Sequence, residues 1–209
     1  MRTSGVVVPV KPPGHGKSRL APLGERLRRD LTTSFALDTV AAAQACTEVG
    51  LVLVVTDDLD LADRLRHTGA VPIPDGRPGD LNASLWQGAA ELHRRDPGLR
   101  PVGLCGDLPC LRGDELAQVL RRAAALDGPA FLPDAGGGGT TLYAAPNLAS
   151  FGPAFGPGSR AAHLDLGAVE LLLDAPTVRR DVDTPEDLTA ARALGLGPAT
   201  SAVLELLRA

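Results

Sequence analysis

The run Val6-Val7-Val8-Pro9-Val10 is continuously apolar and β-branched, too short for a helix, and reads as a buried strand. Residues 51–56 repeat this pattern and end in Asp57-Asp58. Val71-Pro72-Ile73 and residues 102–105 do so again, the last ending in Gly106-Asp107. Helical periodicity separates these runs: residues 31–45, with Asp30 or Thr32 as the cap, then 59–67, 82–93 and 113–125. Asp114 and Glu115 suit the N-terminus of the last of these. Strand-like pieces at 130–132 and 140–144 flank the loop Gly136-Gly137-Gly138-Gly139. A short helix begins near Ser159, and residues 169–173 fit either a strand or a helix. Residues 177–182 read as a strand, 185–194 as a helix and 200–207 as a last short helix.

Strands alternating with helices predict crossover connections and a mainly parallel sheet covered on both faces, hence an α/β fold. No internal repeat or long linker divides the chain, so residues 1–209 are expected to form one domain. Ligands of such sheets bind beyond the carboxyl ends of the strands. That directs attention to residues 11–19, 57–58, 106–109, 134–141 and 181–185.

Composition narrows the class. The chain is 44% hydrophobic and 22% charged, which suits a soluble globular protein. Aromatic residues make up 3%, which disfavours a nucleic-acid reader built on stacked rings, and a net charge of −4 weighs against polyanionic partners. No apolar run approaches the length of a membrane span, and the first one is too brief for a signal-peptide core. Cys46, Cys105 and Cys110 are odd in number and lack a zinc-site spacing, so a cytoplasmic protein with reduced thiols is expected. The basic residues are almost all arginine, yet both lysines, Lys11 and Lys17, fall in one loop. Lysine is a compact point charge suited to phosphate.

That loop is Lys11-Pro12-Pro13-Gly14-His15-Gly16-Lys17-Ser18-Arg19. Gly16-Lys17-Ser18 invites comparison with a P-loop, but the required earlier glycine is replaced by Lys11, and Pro22 follows too closely for a helix opened by the lysine. A Gly-rich, basic loop after the first strand still makes a triphosphate cradle. Asp107 stands at one strand end, and Asp181 and Asp183 at another, where alternation turns both to one side. Paired carboxylates with phosphate oxygens are a usual way to hold Mg²⁺. The competing reading is that Asp183 or Thr184 caps the helix opened by Pro185, with Glu186 following. The segment Phe155-Gly156-Pro157-Gly158-Ser159-Arg160 offers backbone N–H groups, a hydroxyl and a guanidinium to an anion, and Thr140 and Thr141 add hydroxyls. His67 and His93 fit helix ends, and neither His15 nor His163 is placed as a base. Trp86 and the cysteines read as core, and Arg121-Arg122 as a solvated face.

In this order the motifs Val8-Pro9-Val10-Lys11, Gly16-Lys17-Ser18-Arg19-Leu20-Ala21, Leu81-Asn82-x-x-Leu85 and Gly106-Asp107-Leu108-Pro109 run along the chain. Thr140-Thr141, Phe155-Gly156-x-Gly158-Ser159 and Asp181-Val182-Asp183-Thr184-Pro185-Glu186-Asp187-Leu188 follow. Together they resemble the 2-phospho-L-lactate or phosphoenolpyruvate guanylyltransferases of coenzyme F-420 biosynthesis, over residues 6–188. The last motif alone is shared with molybdenum-cofactor nucleotidyltransferases. The lysine loop and Phe155-Gly156-x-Gly158-Ser159 are more specific.

The resemblance implies a three-layer αβα nucleotidyltransferase fold (GT-A-like, Rossmann-like) with a mixed, mostly parallel sheet. It implies GTP, Mg²⁺ and a small phospho-acid, with the product handed to the next transferase of the pathway, and no nucleic acid or membrane. By the same resemblance Lys11, Lys17 and Arg19 meet the GTP phosphates and Asn82 lies near the nucleotide. Asp107, Asp181 and Asp183 hold Mg²⁺, and Thr141, Gly156 and Ser159 bind the phospho-acid. Lys17, Asp107 and Asp183 carry the catalytic assignment. The four consecutive glycines at 136–139 depart from the family's looser Gly-Thr pattern. The alternatives are a molybdenum-cofactor or sugar-phosphate type nucleotidyltransferase, and a nucleotide-binding regulatory module without turnover.

Overall fold

The structure, a computed structural model, describes residues 3–11 and 18–206, and within them seven strands pair into one sheet. The strands are β1 (Ser4–Pro9), β2 (Val49–Val55), β3 (Val71–Ile73), β4 (Arg100–Leu104), β5 (Ala130–Pro133), β6 (Thr140–Ala144) and β7 (Val169–Glu170). Their order across the sheet is β3-β2-β1-β4-β6-β5-β7. All neighbours from β3 to β4 pair in parallel, and β6 runs antiparallel to both β4 and β5. The sheet is therefore mixed and mostly parallel, as expected. Because β6 is reversed, its first residues lie at the same edge as the carboxyl end of β4. There Cys105 N–H donates to the Thr141 carbonyl at 2.9 Å.

The helices are α1 (Glu25–Ala45), α2 (Leu59–Arg66), α3 (Leu81–Arg95), α4 (Gly113–Ala124), α5 (Ser159–Asp165), α6 (Pro176–Arg179), α7 (Pro185–Leu194) and α8 (Pro198–Leu206). β1 is buried on both faces, so its side chains alternate between two cores. Val6 and Val8 pack with α1, α2 and α4 on one side, while Val7 packs with α3 on the other. The second interface is close because glycine stands at the contact. A Cβ at Gly88 would meet the Val7 side chain at 2.3 Å, and one at Gly5 would meet Leu92 at 2.1 Å.

Several expectations are corrected. α1 begins six residues before the apolar stripe, at Glu25 rather than Leu31, with Gly24 as its cap residue. Neither Asp30 nor Thr32 is the cap, and the Thr32 hydroxyl donates to the Arg28 carbonyl one turn back. The charged opening turns of this helix carry little periodic signal. Trp86 is 53% exposed rather than core, because α3 turns Leu85, Gly88, Ala89 and Leu92 to the sheet. Residues 177–182 do not form a strand. Pro176 opens the single turn α6, the Glu115 carboxylate accepts from Thr177 N–H at 2.9 Å, and β7 already occupies the edge beside β5. Of the ambiguous 169–173 segment, Val169–Glu170 is strand.

Candidate active site

One backbone contact and one helix cap assemble the carboxylate side. Gly106 and Asp107 follow β4, and Val182 N–H donates to the Asp107 carbonyl at 3.1 Å. Val182 itself is fully buried, while Asp181 and Asp183 on either side are half-buried. The alternation expected of a strand survives without the strand. Thr184, not Asp183, caps α7: its hydroxyl accepts from Asp187 N–H at 3.1 Å. The Asp187 carboxylate, rather than that of Glu186, completes the capping box, accepting from Thr184 N–H at 3.0 Å and from the Thr184 hydroxyl at 2.8 Å. It also accepts from Asp183 N–H at 3.3 Å, and Arg180 lies 3.3 Å from its other oxygen. Burial works to raise the Asp187 pKa, but these hydrogen bonds and the guanidinium hold it below the ordinary aspartate value. The helix start thus fixes the backbone of Asp183 and leaves its side chain out of the cap.

Asp107 lines a cleft of about 200 Å³ at the carboxyl edge of the sheet. Its walls include Lys11 after β1, Thr32 of α1, Leu85 of α3, Cys105 and Asp107 after β4, and Phe155. Lys11 is exposed at this edge, and Arg19 is exposed in a 3-10 segment at Ser18–Leu23. Lys17 lies outside the described residues. Cys105 is half-buried in the cleft wall, so it is less buried than expected, whereas Cys46 and Cys110 are core. Burial pushes the Cys110 thiol up to about 11.

Thr141, on β6, is fully buried, and its hydroxyl has no hydrogen-bond partner among the described residues. Such a group is costly unless something meets it. Gly156 is exposed with φ +139°, a conformation that favours glycine, and Ser159 is the buried first residue of α5. Ser159 N–H donates to the Gly156 carbonyl at 3.1 Å.

Other polar side chains hold this second half together. The Asn82 amide brackets Phe155: Nδ2 donates to its carbonyl at 2.9 Å, and Oδ1 accepts from its N–H at 2.8 Å. Arg160 reads in the sequence as an anion ligand, but its guanidinium is committed elsewhere. It pairs with Glu170 at 3.0 Å and donates to the Gly137 carbonyl at 3.1 Å. Its own N–H donates to the Gly138 carbonyl, so it staples the Gly-rich loop to α5. Asp134 folds that loop by accepting from Gly138 N–H at 3.1 Å, and a Cβ at Gly139 would strike the same carboxylate.

His163 is fully buried in this half. Its Nε2 accepts from Ala154 N–H at 2.9 Å, and its Nδ1 lies 3.0 Å from the Thr140 hydroxyl. Burial pushes its pKa down to about 4, against a smaller upward effect from the Ser159 backbone. The sequence offered one hint of it, a histidine at helical spacing behind the Phe155–Ser159 motif.

Among the described residues, no three His, Cys, Asp or Glu side chains converge as a ready-made metal cage. The donors near Asp107 are nevertheless hard carboxylates, of the kind that hold Mg²⁺ together with substrate phosphates and water rather than enclosing it alone. No helix among the described residues is long and apolar enough to cross a membrane.

The chain matches, over residues 4–208, the family model described as "Guanylyl transferase CofC like". It belongs to the CofC-like guanylyltransferase family. A relative from Streptomyces scabiei, named phosphoenolpyruvate guanylyltransferase, is 51% identical over 203 residues, covering 94% of each chain. One of the same name from Thermomonospora curvata is 46% identical, covering 96% of this chain and 88% of the relative. Among solved structures, a putative nucleotide-diphospho-sugar transferase from Desulfovibrio desulfuricans G20 superposes with a TM-score of 0.69 at 20% identity, covering 98% of this chain and 95% of that one. A 4-diphosphocytidyl-2C-methyl-D-erythritol synthase does so at 0.59 and 14% identity, covering 93% and 99%. At these identities the likeness establishes the shared three-layer nucleotidyltransferase fold. This CofC-like chain is accordingly a guanylyltransferase, an enzyme of the nucleotidyltransferase class.

Proposed function

We propose that the protein joins GMP from GTP to the phosphate of phosphoenolpyruvate, releasing pyrophosphate, as a cytoplasmic step in coenzyme F-420 assembly. The observation that carries this reading is the Val182–Asp107 contact, which brings the Asp181–Asp183 segment next to Asp107, a residue that lines the cleft. Relatives at about half identity named for phosphoenolpyruvate support the choice of acid. The rival molybdenum-cofactor type reading is disfavoured by the family match over residues 4–208.

In this reading a phosphate oxygen of the phospho-acid attacks the α-phosphorus of GTP. The new P–O bond forms as the bond from the α-phosphorus to the bridging oxygen breaks, and pyrophosphate leaves with that electron pair. A phosphate monoester has a second pKa of about 6, so the nucleophile is already ionised at neutral pH and needs no general base. The protein's work is positioning and charge neutralisation. Lys11, Lys17 and Arg19 engage the GTP phosphates. Thr141, Gly156 and Ser159 hold the acid, with the unpaired Thr141 hydroxyl as the buried donor awaiting an oxygen. Asn82, assigned to the nucleotide by the family resemblance, holds Phe155 in place directly before Gly156. Asp107, Asp181 and Asp183 would hold Mg²⁺, which when bound neutralises charge on the transferring phosphates. The phosphoanhydride product is activated for the next transferase of the pathway.

The test is pyrophosphate release from GTP and Mg²⁺ with phosphoenolpyruvate, 2-phospho-L-lactate or 3-phosphoglycerate in turn. The guanylylated product is identified by mass, with the next pathway transferase present to trap it. Release with phosphoenolpyruvate is expected. No release with any acid, despite measurable GTP binding, overturns the reading.

A further inference from the structure

We propose that His163 is the positioning residue of the phospho-acid half of the site, clamping the Ala154–Ser159 loop to the start of β6 without entering the cleft. The inference rests on the functional reading above, which assigns Thr141, Gly156 and Ser159 to the acid.

The argument begins with donors and acceptors. A backbone N–H can only donate, so the contact from Ala154 requires a lone pair on Nε2. The neutral ring then carries its proton on Nδ1 and donates to the Thr140 hydroxyl 3.0 Å away. One ring thus accepts from a backbone N–H on one edge and donates to a hydroxyl on the other, which a neutral imidazole can do.

Packing fixes the ring's angle. Phe131 and Tyr143 stack against it at centroid distances of 5.2 and 4.8 Å, and Phe155 meets it edge-on at 5.5 Å. Phe151 packs on Tyr143 behind them. The sequence has one Trp, one Tyr and four Phe, and four of these six lie in this cluster. A chain poor in aromatics gathers them around the one ring that joins two site segments.

The clamp acts at both ends of the loop. Nε2 holds Ala154, two residues before Gly156, while His163 belongs to the helix that Ser159 opens. Nδ1 holds Thr140, the neighbour of Thr141. The hydroxyl and backbone groups assigned to the acid thus keep one mutual spacing. Pre-set spacing of this kind lowers the ordering cost of binding a small, highly charged ligand.

His163→Phe keeps an aromatic ring and removes both nitrogens. Thr140→Val leaves the ring and removes one partner. The expected result is a rise of at least about tenfold in the KM for phosphoenolpyruvate in His163→Phe, with the KM for GTP within about twofold, and a smaller rise of the same kind in Thr140→Val. A merely structural role lowers the melting temperature and active fraction and leaves both KM values alone. An unchanged phosphoenolpyruvate KM, or equal rises for both substrates, overturns the proposal. If His163→Phe does not fold, Thr140→Val decides on the same criterion. Failure of the wild type to turn over any phospho-acid defeats the functional reading instead. The clamp is then read from amide hydrogen exchange at Ala154, where fast exchange in the wild type overturns it.

Discussion

The backbone N–H of Val182 donates to the carbonyl of Asp107 across 3.1 Å. This hydrogen bond brings two segments far apart in sequence to the same edge of the sheet. Val182 anchors the junction in the core with Leu31, Phe35 and Ala191, and the flanking Asp181 and Asp183 are left half-buried. The capping box of Thr184 and Asp187 then fixes the next turn. Position therefore comes from one core side chain, one backbone bond and one cap.

Replacing the carboxylates at this junction tests their assigned role. Asp107→Asn and Asp183→Asn should each lower kcat/KM for guanylylated product by at least about 100-fold, roughly 3 kcal/mol of transition-state stabilisation. Thermal unfolding should change less than turnover, because the Thr184–Asp187 cap of α7 stays intact in both variants. Wild-type turnover in either variant, measured by pyrophosphate release with Mg²⁺ present, would remove that residue from the chemistry.

The cap itself should matter for both stability and rate. Thr184→Ala removes the acceptor for Asp187 N–H and one donor to the Asp187 carboxylate. Loss of such a cap costs about 1 kcal/mol, read as a lower denaturation midpoint. Since Asp183 N–H shares the same carboxylate, turnover should fall more than the folded fraction does.

The order of elements was legible in the sequence because this sheet buries its central strands on both faces. Each strand then appears as a short apolar run, and each helix shows its stripe. The junction of Asp107 with Asp181 and Asp183 was legible through the wrong intermediate. Thr177 and Val178 suggest a strand, but Pro176 and the bond from Thr177 N–H to Glu115 make a helical turn. Alternation around Val182 was real, and its cause was burial of one valine. What sequence could not reveal was commitment. Arg160 has the composition of an anion ligand, yet Glu170 and Gly137 already occupy its guanidinium. His163 drew no role because its partners, Ala154 and Thr140, meet it through tertiary contacts with no periodic trace.

The close contact of α3 with the sheet makes Gly88 a sensitive position. An added Cβ would meet Val7 Cγ1 at 2.3 Å and Val55 Cγ2 at 3.1 Å, both buried core groups. Alanine should gain about 1 kcal/mol in helix propensity but lose more to overpacking, which costs about 1–3 kcal/mol. Gly88→Ala should therefore melt several degrees below the wild type. Gly128→Ala, with nothing within 4 Å of its Cβ, should not.

Acid should loosen the His163 clamp within a defined window. Burial holds the folded pKa near 4, below the ordinary value of 6.5, so the unfolded chain binds the extra proton first. Stability from the neutral ring is complete above about pH 6.5 and is lost as pH falls toward 4, by about 3 kcal/mol at most. The groups facing the ring are Phe131, Tyr143, Phe155, Thr140 and the Ala154 and Ser159 backbones. Burial raises the Tyr143 phenol, so it does not titrate here. Asp187 and Glu91, both held below their ordinary values, lose their contribution at lower pH. Denaturation midpoints at pH 7 and pH 5 should differ in the wild type, and the difference should shrink in His163→Phe.

Asn82 separates two ways of building the same wall. As a direct nucleotide contact, its loss would raise the GTP requirement alone. In the structure both ends of its amide are engaged with Phe155, one as donor and one as acceptor, and Phe155 lines the cleft directly before Gly156. Asn82→Ala frees two backbone groups of Phe155 and loosens the segment leading to Gly156. The loss of two part-buried hydrogen bonds amounts to about 1–3 kcal/mol. The expected outcome is a KM for phosphoenolpyruvate raised several-fold, with a smaller change for GTP. Asn82→Asp should behave alike, since its second oxygen faces the Phe155 carbonyl where a donor is required. A rise confined to GTP would return Asn82 to the nucleotide and leave His163 as the sole side-chain bracket of the acid loop among the described residues.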